Sequence, residues 1–309
     1  MPEQRLPPAT LRVVHFVAMT VGVGFALLIS SSGGLAAVWE KTTGGSLKMN
    51  SPVSATFLDS DLDRQNPQKQ AEILLERAVS HSDGATNQAE AQIEARINAW
   101  RGKLKWDSQL GDLTTVALNS SDQSVRASAI EVQLTAYGLD KSDSSVDALV
   151  RQADSSDHAK KIWALWALGL LGNRGVESDR VVQVLAAHLN DSGKDSDRAK
   201  NEDARRWAVE GLALVGTTPT IAPLLEAMHN DPSAMVRERA ACSLAASGML
   251  SHQQRLTAVP QLINYSDDPA LDAQTRAWAF QALADITQQR LPNDSTAWRN
   301  WYQTRGPEN

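Results

Sequence analysis

Cysteine is nearly missing from this chain: Cys242 is the only one in 309 residues. A single thiol excludes an intrachain disulfide and a thiolate-bound metal cluster. Basic residues are in deficit as well. Thirty lysines and arginines face 36 aspartates and glutamates, a formal net charge of −6. Binders of a phosphate backbone carry a basic stripe, so nucleic acid is not an expected partner. The six histidines, His15, His81, His158, His188, His229 and His252, stand singly. There is no HExxH pair, no GxSxG elbow and no phosphate-binding loop, and Gly22 and Gly24 lack a third glycine. The sequence therefore leads us to expect no catalytic residue, no metal ligand and no cofactor. The Asn-x-Ser triplets at Asn119, Asn190, Asn264 and Asn293 are short enough to arise by chance.

What the chain does have is a recurring line. Arg205–Gly216 reads RRWAVEGLALVG, Lys161–Gly172 reads KIWALWALGLLG, and Arg237–Gly248 reads RERAACSLAASG. Less complete copies begin at Arg126 and Arg276. Three positions after each basic anchor stands an alanine: Ala129, Ala164, Ala208, Ala240 or Ala279. Seven positions on stands Leu168, Leu212, Leu244 or Leu283, with Gln133 breaking the rule in the first copy. Such offsets trace one helical face. Gly172, Gly216 and Gly248 end the three full copies, where a left-handed C-cap is expected. The anchors are 35, 44, 32 and 39 residues apart, the spacing of a stacked helix-pair repeat. Cys242 lies within the alanine-rich stripe and is expected to be buried.

Residues 1–40 form a separate segment. Arg5 and Arg12 precede an apolar run from Val13 to Ile29, and the chain turns apolar again through Leu35–Trp39. This reads as one transmembrane anchor through residues 13–39, or as a secretory signal cleaved near Gly34, Ala36 and Ala37. Arginines on the amino side predict a cytoplasmic amino terminus and an extracytoplasmic body. With cleavage, the body is secreted or periplasmic. Residues 41–65 are rich in Gly, Ser, Thr, Asn and Asp and read as a flexible linker. Residues 66–106 predict two helices without the repeat signature, an N-terminal cap, with Ile93, Ile97, Trp100 and Leu104 on one face. Residues 107–309 hold five helix pairs, each with a polar corner: Ser120-Ser121-Asp122, Asp154 to Asp157, Asn190-Asp191, Asn230-Asp231-Pro232 and Asp267-Asp268-Pro269. The fold class is all-α, an α-solenoid with an N-terminal helical cap.

Leu110 to Ile286 resembles HEAT repeats of the PBS-lyase type, on the strength of the corner Asp, the pairs Val125-Arg126 and Val236-Arg237, the alanine and the leucine. The closing segment, Leu291 to Asp294 with Trp298 and Trp301, is similar to the tail that seals such arrays in bacterial proteins. The resemblance implies a ladder between repeats made by corner aspartates and Arg126, Arg205, Arg237 and Arg276, with Lys161 a weaker stand-in. His-Glu dipeptides, used by iron-binding hydroxylases of this type, do not occur. The scaffold is shared by unrelated systems, so function follows from surfaces.

Two surface features are candidates. Trp163, Trp207 and Trp278 recur two positions after the anchor, either as a row that grips a peptide or as packing beside small alanines. Ile162, Trp166 and Leu170 point away from the alanine-leucine stripe, and are expected to form an exposed protein-contact patch bordered by Arg206, Glu210 and Glu238. The alternative is burial beneath the Asp191–Asp203 insertion. That insertion lacks the ligand order of a calcium loop and reads as a solvated loop. The expected function is a membrane-tethered protein-protein interaction scaffold without catalysis, its protein partner unidentified. The alternative is a bilin-lyase-like enzyme or accessory that handles a small-molecule pigment.

Overall fold

A computed structural model of the chain describes residues 59–80, 85–190, 198–304 and 306. Every regular element among them is helical. Helices α1 (Asp59–Asp63), α2 (Pro67–Val79) and α3 (Ala85–Trp100) precede five helix pairs. These are α4 (Ser108–Leu118) with α5 (Gln123–Ala136), α6 (Asp143–Ala153) with α7 (His158–Asn173), and α8 (Ser178–Leu189) with α9 (Arg198–Val215). The fourth is α10 (Ile221–Asn230) with α11 (Ala234–Ala245), and the fifth follows α12 (His252–Leu256) as α13 (Val259–Tyr265) with α14 (Ala273–Thr287). α15 (Ser295–Thr304) closes the carboxyl end against α13.

The polar corners start the second helices because their side chains accept the orphan N–H groups of a first turn. Asp122 takes Ser124 N at 2.9 Å, Asp157 takes Ala159 N at 3.1 Å, Asp231 takes Ser233 N at 2.8 Å and Asp272 takes Thr275 N at 2.9 Å. Gly216 and Gly248 adopt the left-handed φ expected of them, 62° and 76°. Gly172 does not. It lies inside α7, and the left-handed turn comes at Gly175, φ 82°. The missing side chain at Gly172 serves packing, since a Cβ there would stand 2.8 Å from Val215.

Two boundaries also differ from expectation. The linker expected to reach residue 65 is folded at its end: Leu62 of α1 is buried, and the Gln70 amide donates to the carbonyls of Leu62 and Gln65. The insertion expected as a loop through Asp203 is helical from Arg198 onward. The segment 13–39 and most of the expected linker lie outside the described residues, as do residues 191–197. Among the described residues no helix is long and apolar enough to cross a membrane.

Packing runs mainly through second helices, α7 on α9, α9 on α11 and α11 on α14. α2 and α3 extend the stack by packing on α4 and α5. The buried side chains form two clusters that meet on α5. Val125, Ala129 and Val132 belong to the amino-terminal cluster, Ile130 and Leu134 to the larger one that runs on to Trp298. Contact between α5 and α7 is the thinnest of the second-helix junctions.

The most extensive junction is α7 on α9. A Cβ on Gly169 would sit 2.6 Å from the Gly211 carbonyl oxygen, and one on Gly211 would sit 2.6 Å from the Leu165 carbonyl oxygen. The two backbones touch with no side chain between them. In an open helix a Gly-to-Ala exchange stabilises by about 1 kcal/mol. Here the added methyl must push the helices apart, so Gly211→Ala is expected to destabilise by about 1–3 kcal/mol. Urea unfolding monitored by circular dichroism reads the sign directly.

Candidate functional site

The ladder runs through the corners of the third to fifth pairs. Arg205, on α9, places Nε 2.7 Å and Nη2 3.2 Å from the two carboxylate oxygens of Asp231, and both residues are buried. Arg237, one repeat on, donates Nη1 to the Asp231 carbonyl at 2.7 Å. Its Nε reaches the Thr275 hydroxyl at 3.0 Å and its Nη2 reaches Asp272 at 2.9 Å. Arg276 donates to the carbonyls of Leu271 and Asp268. Each arginine fork thus ties its own corner or the next one, and those of Arg237 and Arg276 also satisfy backbone carbonyls of the corners. Asp272 is held down to about 2 by the Thr275 N–H and hydroxyl, with Arg237 adding to the effect. The acid of the fifth corner is therefore Asp272, four residues beyond the expected pair. Asp268 is occupied by His229 and by the Ala270 N–H.

The ladder changes character in the first two repeats. Lys161 makes no ladder contact among the described residues, and the second and third pairs are joined by His158 Nε2, 3.1 Å from Asp203, and by Arg180 Nη2, 2.7 Å from Asp147. Arg126 donates Nη1 to the Ser120 carbonyl at 2.6 Å, as Arg237 does in its own repeat, but its Nε meets no acceptor among the described residues. Gln133, in the leucine position, is buried.

The expected apolar patch is not exposed. Ile162, Trp166 and Leu170 are 5%, 3% and 0% exposed. The run Ile162–Gly172 is apolar or small on every face, and a helix of that kind is covered on every face. α6, α8 and α9 pack against it, and the Tyr137 ring meets Trp166 edge-on at 5.5 Å. Tyr137 is in turn stacked on Trp106 at 4.8 Å, and burial pushes its phenol up. The charged border is not assembled either. Arg206 pairs with Asp203 at 2.6 Å, Glu210 is buried in an ion pair with Arg239, and Glu238 is half-buried with its carboxyl raised by that burial. Arg239 counteracts part of the shift at Glu238. Trp163 and Trp207 are buried and Trp278 half-buried, so the tryptophan row is packing. Cys242, expected to be buried, is partly exposed.

Other features lacked a clear signal in the sequence. His229 joins the fourth and fifth repeats: Nε2 is 2.9 Å from Asp268, Nδ1 is 2.5 Å from the Asn230 side-chain oxygen, and the ring lies against Tyr265. The Asn230 amide donates to Glu226, which turns its oxygen toward the ring. Arg255 is 6% exposed and spends all five of its N–H groups on the carbonyls of Ser243, Leu244, Ala246, Ser247 and Leu250, closing the carboxyl end of α11. Among the described residues no group of His, Cys, Asp and Glu is arranged to hold a metal ion.

Comparison with known proteins matches residues 196–284 to HEAT repeats. With the all-helical stack of pairs, this match supports a HEAT-repeat protein. The matched span holds the three anchors whose ladder is regular, Arg205, Arg237 and Arg276. No curated protein matches the chain.

Removing one partner of a buried ion pair leaves the other charge uncompensated. Arg205→Met is accordingly expected to cost about 3–5 kcal/mol, and Arg205→Met with Asp231→Leu to cost less than the single change. Urea midpoints of the two variants test this order.

At His229, burial alone would lower the pKa, but the hydrogen bonds to Asp268 and Asn230 outweigh it and the net shift is upward. Both ring nitrogens face oxygen acceptors, an arrangement only the doubly protonated ring satisfies. A raised folded pKa gives stability that is complete below the unfolded value of about 6.5 and is lost as pH rises through the folded value. The melting-temperature gap between the native chain and His229→Gln is expected to be wider at pH 5.5 than at pH 8. Glu226, Asp268, Tyr265 and, through Asp268, Arg276 are the charged or titratable groups around the ring.

Proposed function

We propose that the chain is a membrane-tethered scaffold that binds a protein partner on its stack of HEAT-like pairs and carries out no catalysis itself. The observation that carries this reading is the stack: helix pairs tied by an arginine ladder, matched over residues 196–284 to a family whose repeats present long surfaces. The tether rests on the sequence alone, on the apolar run Val13–Ile29 continued through Leu35–Trp39. In this reading the amino terminus is cytoplasmic, the stack is extracytoplasmic, and the bilayer is met through residues 13–39.

Burial of Ile162, Trp166 and Leu170 changes which surface is offered. Among the described residues the large apolar side chains left exposed are Val116 and Met235, which lie on different repeats. Recognition then falls to charged and polar groups, which steer association and are screened by salt. The partner's surface is of complementary charge, and nucleic acid does not fit a chain of net charge −6.

The test uses the full chain and a version carrying Phe25→Lys and Leu28→Lys. The native chain is expected to stay with membranes after alkaline carbonate washing and to capture a partner whose recovery falls between low and high salt. The doubly charged version is expected to leave the membrane fraction. Recovery of the native chain as a soluble product with a new amino terminus near Ala37 would establish a cleaved signal and sink the tether. Capture insensitive to salt would sink the polar contact surface.

A further inference from the structure

We infer that Arg126 binds a carboxylate at the place where the ladder is interrupted. Arg205 shows what the position does when the ladder is regular: its Nε and Nη2 edge clasps both oxygens of Asp231 at 2.7 and 3.2 Å. Arg126 occupies the same place in the first repeat and ties Nη1 to its own corner at Ser120. It is only 8% exposed, and its buried Nε has no acceptor among the described residues. The corner acid of the next repeat, Asp157, is turned to its own helix, where it caps α7 and pairs with Lys160 at 3.2 Å.

A second guanidinium stands near Arg126 instead. Gln123, three residues before Arg126 and on the same face of α5, donates Nε2 to the Met249 carbonyl at 2.9 Å. This fixes α5 against the turn that Arg255 holds, since Arg255 Nε donates to the adjacent Leu250 carbonyl at 3.0 Å. Burial first, and Arg126 second, depress Arg255 to about 10. Because Arg255 has no spare N–H, it contributes charge here and no hydrogen bond. Ser247, two residues before Met249, has a buried hydroxyl without a partner among the described residues. Burial opposes the charged form of Arg126, and the charge of Asp122 offsets part of that effect. One oxygen of Asp122 already serves the N–H and hydroxyl of Ser124.

Two cations therefore share a largely buried place in which Asp122 is the acid acting on Arg126, and the Arg126 Nε is left without an acceptor among the described residues. A guanidinium edge matches the two oxygens of a carboxylate better than it matches any single-atom anion. The carboxylate can belong to a free organic acid or to an acidic side chain of a protein segment. The inference does not depend on the scaffold reading.

The test titrates the full chain at constant ionic strength, replacing chloride by acetate or by a capped tripeptide with a central aspartate. The readout is the Nε–H resonance of Arg126, with melting temperature beside it. A saturable shift of that resonance is expected. Affinity in Arg126→Lys is expected to fall roughly ten-fold or more, the factor carried by one charge-assisted hydrogen bond, because lysine keeps the charge and loses the edge. Saturation by acetate assigns the site to free acids, and saturation by the tripeptide alone assigns it to a protein-borne acid. No shift with either probe overturns the inference, as does unchanged affinity in Arg126→Lys. If that variant does not fold, the native resonance decides alone.

Discussion

The contact between Gly169 and Gly211 sets the terms for the rest of the stack. Two helices whose backbones touch leave no room for a side chain between them, and that closeness draws α7 into the interior. α7 is then covered on every side, by α6, α8 and α9 and by the ring of Tyr137. Both of its tryptophans are buried and meet the Tyr137 ring edge-on, Trp166 at 5.5 Å and Trp163 at 6.2 Å. Close packing of this kind transmits strain, because interiors hold few voids to absorb a shift.

The ladder works at the ends of the helices, where backbone groups are open. Arg205 joins its helix to the next corner at Asp231, Arg276 closes the carbonyls of its own corner, and Arg237 does both at once through the Asp231 carbonyl and Asp272. The regularity stops at α5, the helix shared by the two buried clusters and thinly joined to α7. There the leucine position is Gln133, the anchor is Arg126 with an open Nε, and Arg255 adds a second positive charge beside Asp122. The same junction is irregular in sequence, in packing and in electrostatics. It is a place in the described stack where a buried donor stands without an acceptor.

Much of this was legible in the sequence, because helix pairs are local objects. The anchor, alanine and leucine sit at fixed offsets, and the corner aspartates Asp122 and Asp157 cap the next helix within three residues, while the fifth pair is capped by Asp272 beyond its expected corner. The ladder between Arg205, Asp231 and Arg237 follows what the resemblance to HEAT repeats implied. The patch at Ile162, Trp166 and Leu170 was misread for a physical reason. Offsets tell which way a side chain leaves its own helix, and say nothing of what lies opposite. The apolar character of α7 on all sides was the signal that pointed to burial.

The sequence by itself determined the helix pairs, their caps and the repeat that stacks them, all set by backbone hydrogen bonds and by side chains a few residues apart. Only the tertiary structure decided which faces reach solvent, that Gly169 meets Gly211 across 42 positions and that Gln123 meets Met249 across 126. Those contacts depend on how successive pairs rotate against one another. That rotation is the sum of many packing contacts, and no short stretch of the chain encodes it.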